Sequence, residues 1–248
     1  MTDDAVAVVT IANPGARNAL DDRARRQLLS DLRDVTARPE VRAVVLVGEA
    51  DAFCAGGDLP SMPTEPGPIA ARLGEMHDIV ALVHAGPKPV VAAVEGPAYG
   101  SGMALAAACD HVVASQDASF GCTFGRVGLM ADTGLIWTLP RRVGPAAARR
   151  ILLGSAVLSA GEAAEVGLAD ELVPAGGALD RAVEVAGTWR RAAPGALAAT
   201  RRMLADGLAE VLRAELAEQT ALLATADFAE GRAAFADRRR PRFGGSAD

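Results

Sequence analysis

The stretch KPVVAAVEGPAYGSGMALAAACD, residues 88–110, decides the fold class of this chain. Residues 89–94 are short, apolar and rich in valine, which predicts a buried β-strand. A glycine-rich turn follows at 96–102, and the small residues after it predict a helix. Residues 111–114 are predicted as the next strand. A strand, a helix and a second strand in this order form a parallel pair, so the stretch indicates an α/β fold.

The residues before this stretch repeat the same order of elements. Residues 5–12 (AVAVVTIA) and 41–48 (VRAVVLVG) are predicted strands, and Asp21 is placed to cap a helix between them that runs to about residue 37. The small-residue loop AFCAGGDL follows at 52–59. Four prolines between residues 60 and 68 then predict an irregular loop before a helix over residues 69–84.

The rest of the chain is predicted to be mostly helical. SAGE at 159–162 has the spacing of a capping box, and residues 170–173 are predicted as a last edge strand. The final third is rich in alanine, leucine, glutamate and arginine, which favours a helical appendage. It ends in the basic segment RRRPRF.

Composition narrows the class of protein. The chain has 248 residues, of which 50% are hydrophobic, and a net charge of −6. This size fits one α/β domain, with or without a small appendage. The acidic balance argues against nucleic acid as a partner. Three cysteines form no disulfide framework, and neither a signal peptide nor a membrane span is predicted. We expect a cytoplasmic protein.

Two glycine loops, Ala55-Gly56-Gly57 and Gly100-Ser101-Gly102, each follow a predicted strand. Small residues let the backbone approach a ligand closely, and a helix starting near Gly102 would direct free N–H groups at it. Two such amides that converge on one oxygen form an oxyanion hole. The alternative from spacing alone is a pair of tight turns in a packed sheet.

Other glycine and nucleophile motifs do not fit. The P-loop pattern is absent, and the third glycine of a dinucleotide-binding loop is missing. Ser101 lacks the flanking glycines of a nucleophile elbow, and no histidine lies late in the chain. The histidines and cysteines show no zinc-ligand spacing, so no metal is expected.

Four segments together resemble the crotonase superfamily, the enoyl-CoA hydratase/isomerase group. They are NPGARNAL at 13–20, AFCAGGDL, the stretch at 88–110 and EGRAAFADRRRPRF at 230–243. The resemblance covers nearly the whole chain. It implies a spiral of ββα units over residues 1–194 and a C-terminal helical region over 195–248 for trimerisation and CoA contact. It further implies a homotrimer or dimer of trimers, and a coenzyme A thioester as substrate or ligand without a prosthetic group.

The resemblance also implies roles for individual residues. The backbone amides of Ala55 and Ser101 would form the oxyanion hole. Arg17 and the C-terminal pair Phe235 and Arg238 would contact CoA, although a solvated tail charge is the alternative for Arg238. The loop that would hold the adenine and pantetheine end consists of Ala55, Gly56, Gly57, Asp58 and Leu59. Within it, Asp58 is expected to cap or brace the backbone.

This chain departs from the hydratases of the family at two positions. The two glutamates that activate water there correspond to Ala104 and Phe124 here. Neither side chain can move a proton, so standard hydration should be very slow or absent. Asp132 resembles an aspartate that dienoyl-CoA isomerases use for proton transfer. The alternative for Asp132 is an N-cap of the following helix.

Other polar residues near the predicted site are weaker candidates. Tyr99 lies within the second glycine loop, where pocket lining or plain packing are the alternatives. The resemblance places His77 on the helix over the pocket, where we expect it to lie at the surface or to contact residues that line the pocket. Glu95 has no predicted role. Cys122 and Arg126 flank the position of Phe124 and are minor candidates.

Two functions remain open at this point. The first is an isomerase or lyase on acyl-CoA esters that stabilises an enolate and uses Asp132 for proton transfer. The second is a non-catalytic acyl-CoA-binding or shuttle protein, which some family members without the glutamates resemble. Residual hydration through a repositioned water is a third, weaker interpretation.

Overall fold

The computed structural model describes residues 5–244 and arranges them around two sheets. The eight strands are β1 (Val6–Ile11), β2 (Ala43–Gly48), β3 (Val90–Val94), β4 (Pro97–Tyr99), β5 (His111–Ser115), β6 (Ser119–Gly121), β7 (Val157–Ser159) and β8 (Glu171–Val173). The α-helices are α1 (Asp22–Ala37), α2 (Pro66–Ala85), α3 (Ser101–Ala108), α4 (Leu135–Val143), α5 (Pro145–Leu153), α6 (Ala160–Glu165), α7 (Ala178–Thr188), α8 (Pro194–Leu204), α9 (Leu208–Leu223) and α10 (Ala226–Ala236). In this part of the chain, each helix is too short or too polar to cross a membrane.

The main sheet is parallel throughout, with strand order β1-β2-β3-β5-β8. Every residue of β3 is buried, as expected for a strand covered on both faces. Alternate residues point to opposite layers. Val90 and Ala92 join the core beneath α1, α2 and α3, whereas Val91 and Ala93 pack against α7. The continuous apolar run in β3 therefore reflects burial on both sides of one sheet.

The second sheet is small, and the sequence pattern did not predict any of its three strands. Pro97–Tyr99 was expected to be part of a glycine-rich loop, but it forms β4, which pairs in parallel with β6. β7 joins β6 in antiparallel orientation. Three-residue strands are too short to show an alternating pattern, and Pro97 is tolerated because it is the first residue of its strand.

Helix ends follow the local sequence signals. The Asp21 carboxylate accepts a hydrogen bond from the Ala24 amide at 2.7 Å, which confirms the predicted cap of α1. The capping box at Ser159 and Glu162 is also present. The helix predicted to start at residue 69 begins instead at Pro66. Prolines fit the first turn of a helix because its amides need no intrahelical acceptor.

The chain after the last strand is helical and returns to the core. α9 packs against α2, and α10 lies against the turn at Phe124–Val127. A methyl group on Gly231 of α10 would lie 2.5 Å from the Val127 carbonyl carbon, so α10 needs glycine there. The predicted division at residue 194 coincides with the start of α8. The outer ends of both predicted regions, residues 1–4 and 245–248, lie outside the described residues.

Candidate active site

The first glycine loop is held in place by the loop at residues 13–20. Asn18 is fully buried, and its side-chain amide donates to the carbonyls of Glu49 and Ala52, both at 2.8 Å. Its side-chain oxygen accepts from the Asn13 amide at 3.0 Å. Asn18 has a φ of 59°, a left-handed conformation that asparagine tolerates better than most residues. Asn18 therefore anchors the loop, a role that motif spacing alone did not reveal.

The two glycine loops touch backbone to backbone. The Tyr99 amide donates to the Cys54 carbonyl at 2.8 Å. A methyl group on Gly56 would lie 2.8 Å from the Tyr99 carbonyl oxygen, and one on Gly102 would lie 2.2 Å from the Cys54 oxygen. Side chains at these two positions would separate the loops. The structure thus brings the two predicted loops together at one place.

One predicted amide donor is already in use. The Ala55 amide donates to the Arg17 carbonyl at 3.0 Å, which contradicts its assignment to the oxyanion hole. The neighbouring Gly56 amide contacts the Cys54 sulfur at 3.4 Å. By contrast, the amides of Gly57 and Ser101 have no acceptor within residues 5–244. Ser101 is the first residue of α3, where helix geometry leaves the amide free.

Gly57 and Ser101 line two neighbouring spaces. The first, the inner cavity, has a volume of about 30 Å³ and is lined by Leu20, Gly57, Met62, Pro63, Ile69, Arg72, Leu73, Met76, Ser101, Leu129, Asp132, Gln219 and Leu223. The second, the outer pocket, has a volume of about 320 Å³ and is lined by Ala55, Gly56, Gly57, Leu59, Met62, Tyr99, Gly100, Ser101, Thr123, Phe124, Arg126, Val127, Leu129, Asp132 and Phe235. The two free amides and Asp132 are common to both.

Asp132 is a buried carboxyl group beside these amides. One of its oxygens accepts from the Thr133 hydroxyl at 2.9 Å and the other from the Gln219 side-chain amide at 2.8 Å. Burial, with the negative charge of Glu215 nearby, raises the pKa of Asp132 to about 6. The N-cap of α4 is Gly134, so the carboxyl group of Asp132 does not cap that helix. A carboxyl with this pKa can both accept and return a proton near neutral pH.

A buried polar network extends behind Asp132. Glu215 is buried and accepts from the Gly134 amide at 3.0 Å, while its other oxygen lies 2.9 Å from His77 Nε2. His77 lines neither space, and neither Glu215 nor Gln219 is among the site residues predicted from the sequence. Their signal was present: both fall at core positions of α9, in register with Leu212.

Two apolar side chains stand where the resemblance led us to expect the hydratase glutamates. Ala104 is fully buried in α3. Phe124 lines the outer pocket, and its ring lies 3.9 Å from the position of a methyl group on Gly100. Burial raises the pKa of the nearby Cys122 thiol to about 11, which argues against Cys122 as a nucleophile.

The residues predicted to contact CoA lie around the outer pocket or on the surface. Phe235 is 60% exposed yet lines the outer pocket of its own chain. Arg17 and Arg238 are exposed. Asp58 accepts from the Ser61 amide at 3.2 Å, as expected for a residue that braces its loop. Leu59, Ala55, Gly56 and Gly57 all line the outer pocket.

Two residues with open roles have structural partners. Tyr99 accepts from the Ser119 hydroxyl at 3.3 Å, and its ring lies where a side chain on Gly121 would be. Glu95 accepts from the amides of Gly176 and Ala178, at 3.2 and 3.0 Å, and so stabilises the start of α7. Neither contact requires a ligand.

Comparisons with known proteins agree with this architecture. The Enoyl-CoA hydratase/isomerase family profile matches residues 1–246. A probable enoyl-CoA hydratase of Rhodobacter capsulatus is 41% identical over 172 residues, 69% of this chain and 66% of that protein. The 1,2-epoxyphenylacetyl-CoA isomerase of Escherichia coli is 35% identical over 68% of this chain and 66% of its own length. The chain thus aligns with slightly less than two thirds of either relative.

A solved structure extends the likeness to the whole chain. The crystal structure of an enoyl-CoA hydratase from Mycobacterium avium subsp. paratuberculosis superposes with a TM-score of 0.86, covering 97% of this chain and 96% of that one at 31% identity. The chain therefore belongs to the enoyl-CoA hydratase/isomerase family of the crotonase superfamily, and the predicted crotonase fold is confirmed.

Proposed function

We propose that this protein binds the thioester of an acyl-CoA at the amides of Gly57 and Ser101 and catalyses isomerisation or lyase chemistry through an enolate. The observation that carries the proposal is the placement of two free amides and one buried carboxyl on the same cavity. The thioester oxygen would accept from both amides. Removing one such donor in a hydrolase costs about 3 kcal/mol of transition-state stabilisation.

Asp132 would transfer the proton in the isomerase form of this reaction. Its carboxylate takes a proton from a carbon of the acyl chain, and the electron pair moves to the thioester oxygen. The same proton then returns to a different carbon, which restores the thioester and the carboxylate. The pKa of about 6 for Asp132 suits both steps.

Hydration is not part of the proposal. Ala104 and Phe124 offer no titratable group at the positions where the hydratases of the family carry glutamates. Phe124 stands in the pocket wall, so no titratable side chain at that position can hold or activate a water molecule. We therefore expect 3-hydroxyacyl-CoA formation to be slow at best.

The alternative is an acyl-CoA-binding or shuttle protein without turnover. It is favoured by the bonds at Asp132, since both carboxyl oxygens already accept from protein groups and have a structural role. A panel of enoyl-, dienoyl- and carboxyacyl-CoA esters, assayed for turnover beside calorimetric binding, separates the two. Turnover that is lost in Asp132→Ala with binding retained supports the enzyme, whereas micromolar binding without turnover supports the shuttle.

The assembly is also a proposal. We expect a homotrimer or a dimer of trimers, with the C-terminal region contributing to the contacts between subunits. Sedimentation equilibrium of the full chain tests this directly. A monomer at micromolar concentration would contradict it.

A further inference from the structure

Arg72 is a cation in the wall of the inner cavity that the proposed chemistry does not use. It lies on α2, is only 8% exposed and reaches toward the first glycine loop. Its Nη2 atom lies 3.6 Å from the position that a methyl group on Gly57 would occupy. Arg72 therefore lies beside one of the two amides assigned to the thioester.

The hydrogen bonds of Arg72 leave part of its donor capacity unused. Nη2 donates to the Leu20 carbonyl at 2.7 Å, and Nη1 donates to Asp22 at 3.2 Å. A guanidinium has five N–H groups, so three have no acceptor among the described residues. The Asp22 side chain is 57% exposed, so much of the counter-charge lies in water.

The electrostatic surroundings of Arg72 favour a further anion. Burial and the positive charge of Arg25 lower the pKa of Arg72 below its usual value, although the carboxylates of Asp22, Asp58 and Asp132 oppose part of this shift. Asp132 is the acidic residue that lines the cavity, but its oxygens already accept from Thr133 and Gln219. A buried guanidinium with unused N–H groups is unfavourable beside a purely apolar chain, and a carboxylate is the group that matches its fork geometry.

The inner cavity is small as well as charged. Its volume of about 30 Å³ has room for roughly two water-sized groups. Apart from Arg72, Asp132 and Gln219, most of its lining is apolar, with Ile69, Leu73 and Met76 on the same helix as the arginine. A long acyl chain does not fit this space, whereas the two oxygens of a single carboxylate match it in size.

We propose that the inner cavity selects short acyl-CoA esters that carry a second carboxylate, and that Arg72 binds this carboxylate. The inference rests on the proposed binding of an acyl-CoA thioester at Gly57 and Ser101. Arg72 is then a specificity-determining residue. The competing interpretation is that Arg72 only braces the glycine loop through the Leu20 carbonyl, in which case it would affect all acyl-CoA esters alike.

Calorimetric titration of the full-length protein with succinyl-CoA and butyryl-CoA tests the inference, since these esters have equal carbon counts. We expect the wild type to bind succinyl-CoA about ten- to hundredfold more tightly, the range for hydrogen bonds to charged groups. In Arg72→Met this preference should vanish, with butyryl-CoA affinity within about threefold of wild type. Arg72→Lys, which keeps the charge without the fork, should retain part of the preference.

Arg26→Met is the matched control, because Arg26 also contacts Asp22 but is 65% exposed and lines neither space. It should keep the preference. Equal affinity of the wild type for both esters would overturn the inference and leave the proposed function standing. If Arg72→Met lowers the affinity for both esters equally, Arg72 only braces the glycine loop, and the inference is overturned as well. If neither ester binds the wild type, the proposed function fails, and this inference with it.

Discussion

The side-chain amide of Gln219 donates to the Asp132 carboxylate across 2.8 Å and so joins α9 to the loop before α4. The same amide group also contacts the Met130 carbonyl at 3.3 Å. This contact orients a carboxyl group toward the space bordered by Gly57 and Ser101. The C-terminal helices are therefore part of the site that their own chain builds, in addition to any contact they make with other subunits.

The role of the Ser101 amide can be tested by substitution at the start of α3. Ser101→Pro removes the N–H group at a helix position that accepts proline, so the fold should persist. We expect transition-state stabilisation to fall by about 3 kcal/mol, measured as kcat/KM on the best ester of the panel. Ser101→Gly keeps the amide and is the control, with a change of less than about threefold expected. Equal losses in both variants would implicate the side chain instead.

Asp132→Asn tests proton transfer. The amide keeps the shape and can still accept from Gln219, but it cannot hold the proton, so kcat should fall by about 10²- to 10⁴-fold. Binding of a saturated acyl-CoA should stay within about threefold, since the variant is isosteric and uncharged. In the wild type, the base must be ionised, so kcat/KM should rise with pH through about 6. Full turnover by the variant would exclude Asp132 as the base.

The pH dependence should respond to the buried neighbour of Asp132. The negative charge of Glu215 raises the Asp132 pKa, so its removal in Glu215→Gln should lower it. The inflection in kcat/KM should then move to lower pH, while the glutamine can still accept from the Gly134 amide. The measurement is a pH–rate profile for both proteins. An unchanged or raised inflection would mean that the charge of Glu215 does not raise the pKa of Asp132.

Stability should depend on the same carboxyl group. The pKa of Asp132 is higher in the folded chain than its ordinary value of 3.8, so the folded state binds this proton more tightly. Stability contributed by the group is therefore present at low pH and is lost as pH rises from about 3.8 to about 6. Urea unfolding of wild type and Asp132→Asn at pH 5 and pH 7.5 should show the variant gaining relative stability at the higher pH. A constant difference would contradict this.

Asn18→Ala should destabilise the protein and loosen the first glycine loop. The substitution leaves the Glu49 and Ala52 carbonyls without a donor and puts alanine at a φ of 59°. We expect a loss of about 2–4 kcal/mol in the free energy of unfolding. Gln27→Ala, at an exposed position of α1, is the control and should change stability by less than about 0.5 kcal/mol. A loss as small as in the control would remove Asn18 as the anchor.

Much of the fold could be predicted because its signals are local. The valine-rich strands, the Asp21 cap and the capping box at Ser159 each depend on neighbouring residues and appear as predicted. The short strands β4 and β6 could not be found in this way, since their pairing partners, not their three residues, define them. The prolines before α2 were interpreted as a loop, although the first turn of a helix accommodates them equally well.

The site was predicted only in outline. The two glycine loops and Asp132 meet as expected, but which amide is free depends on a distant acceptor. The Arg17 carbonyl accepts a hydrogen bond from the Ala55 amide, and no local sequence pattern predicts that bond. Glu215 and Gln219 lie more than 80 residues from the groups that they contact. The sequence around Arg72 does not distinguish it from an exposed arginine on a helix, and only the structure shows that it is buried.

The most direct test of the account is a crystal structure of the full chain with a non-hydrolysable analogue of an acyl-CoA thioester. We expect the thioester carbonyl oxygen to lie within about 2.7–3.1 Å of both the Gly57 and the Ser101 nitrogens. We also expect the Ala55 amide to donate still to the Arg17 carbonyl. A carbonyl that points away from Gly57 and Ser101, or one that takes the Ala55 amide from Arg17, would contradict it.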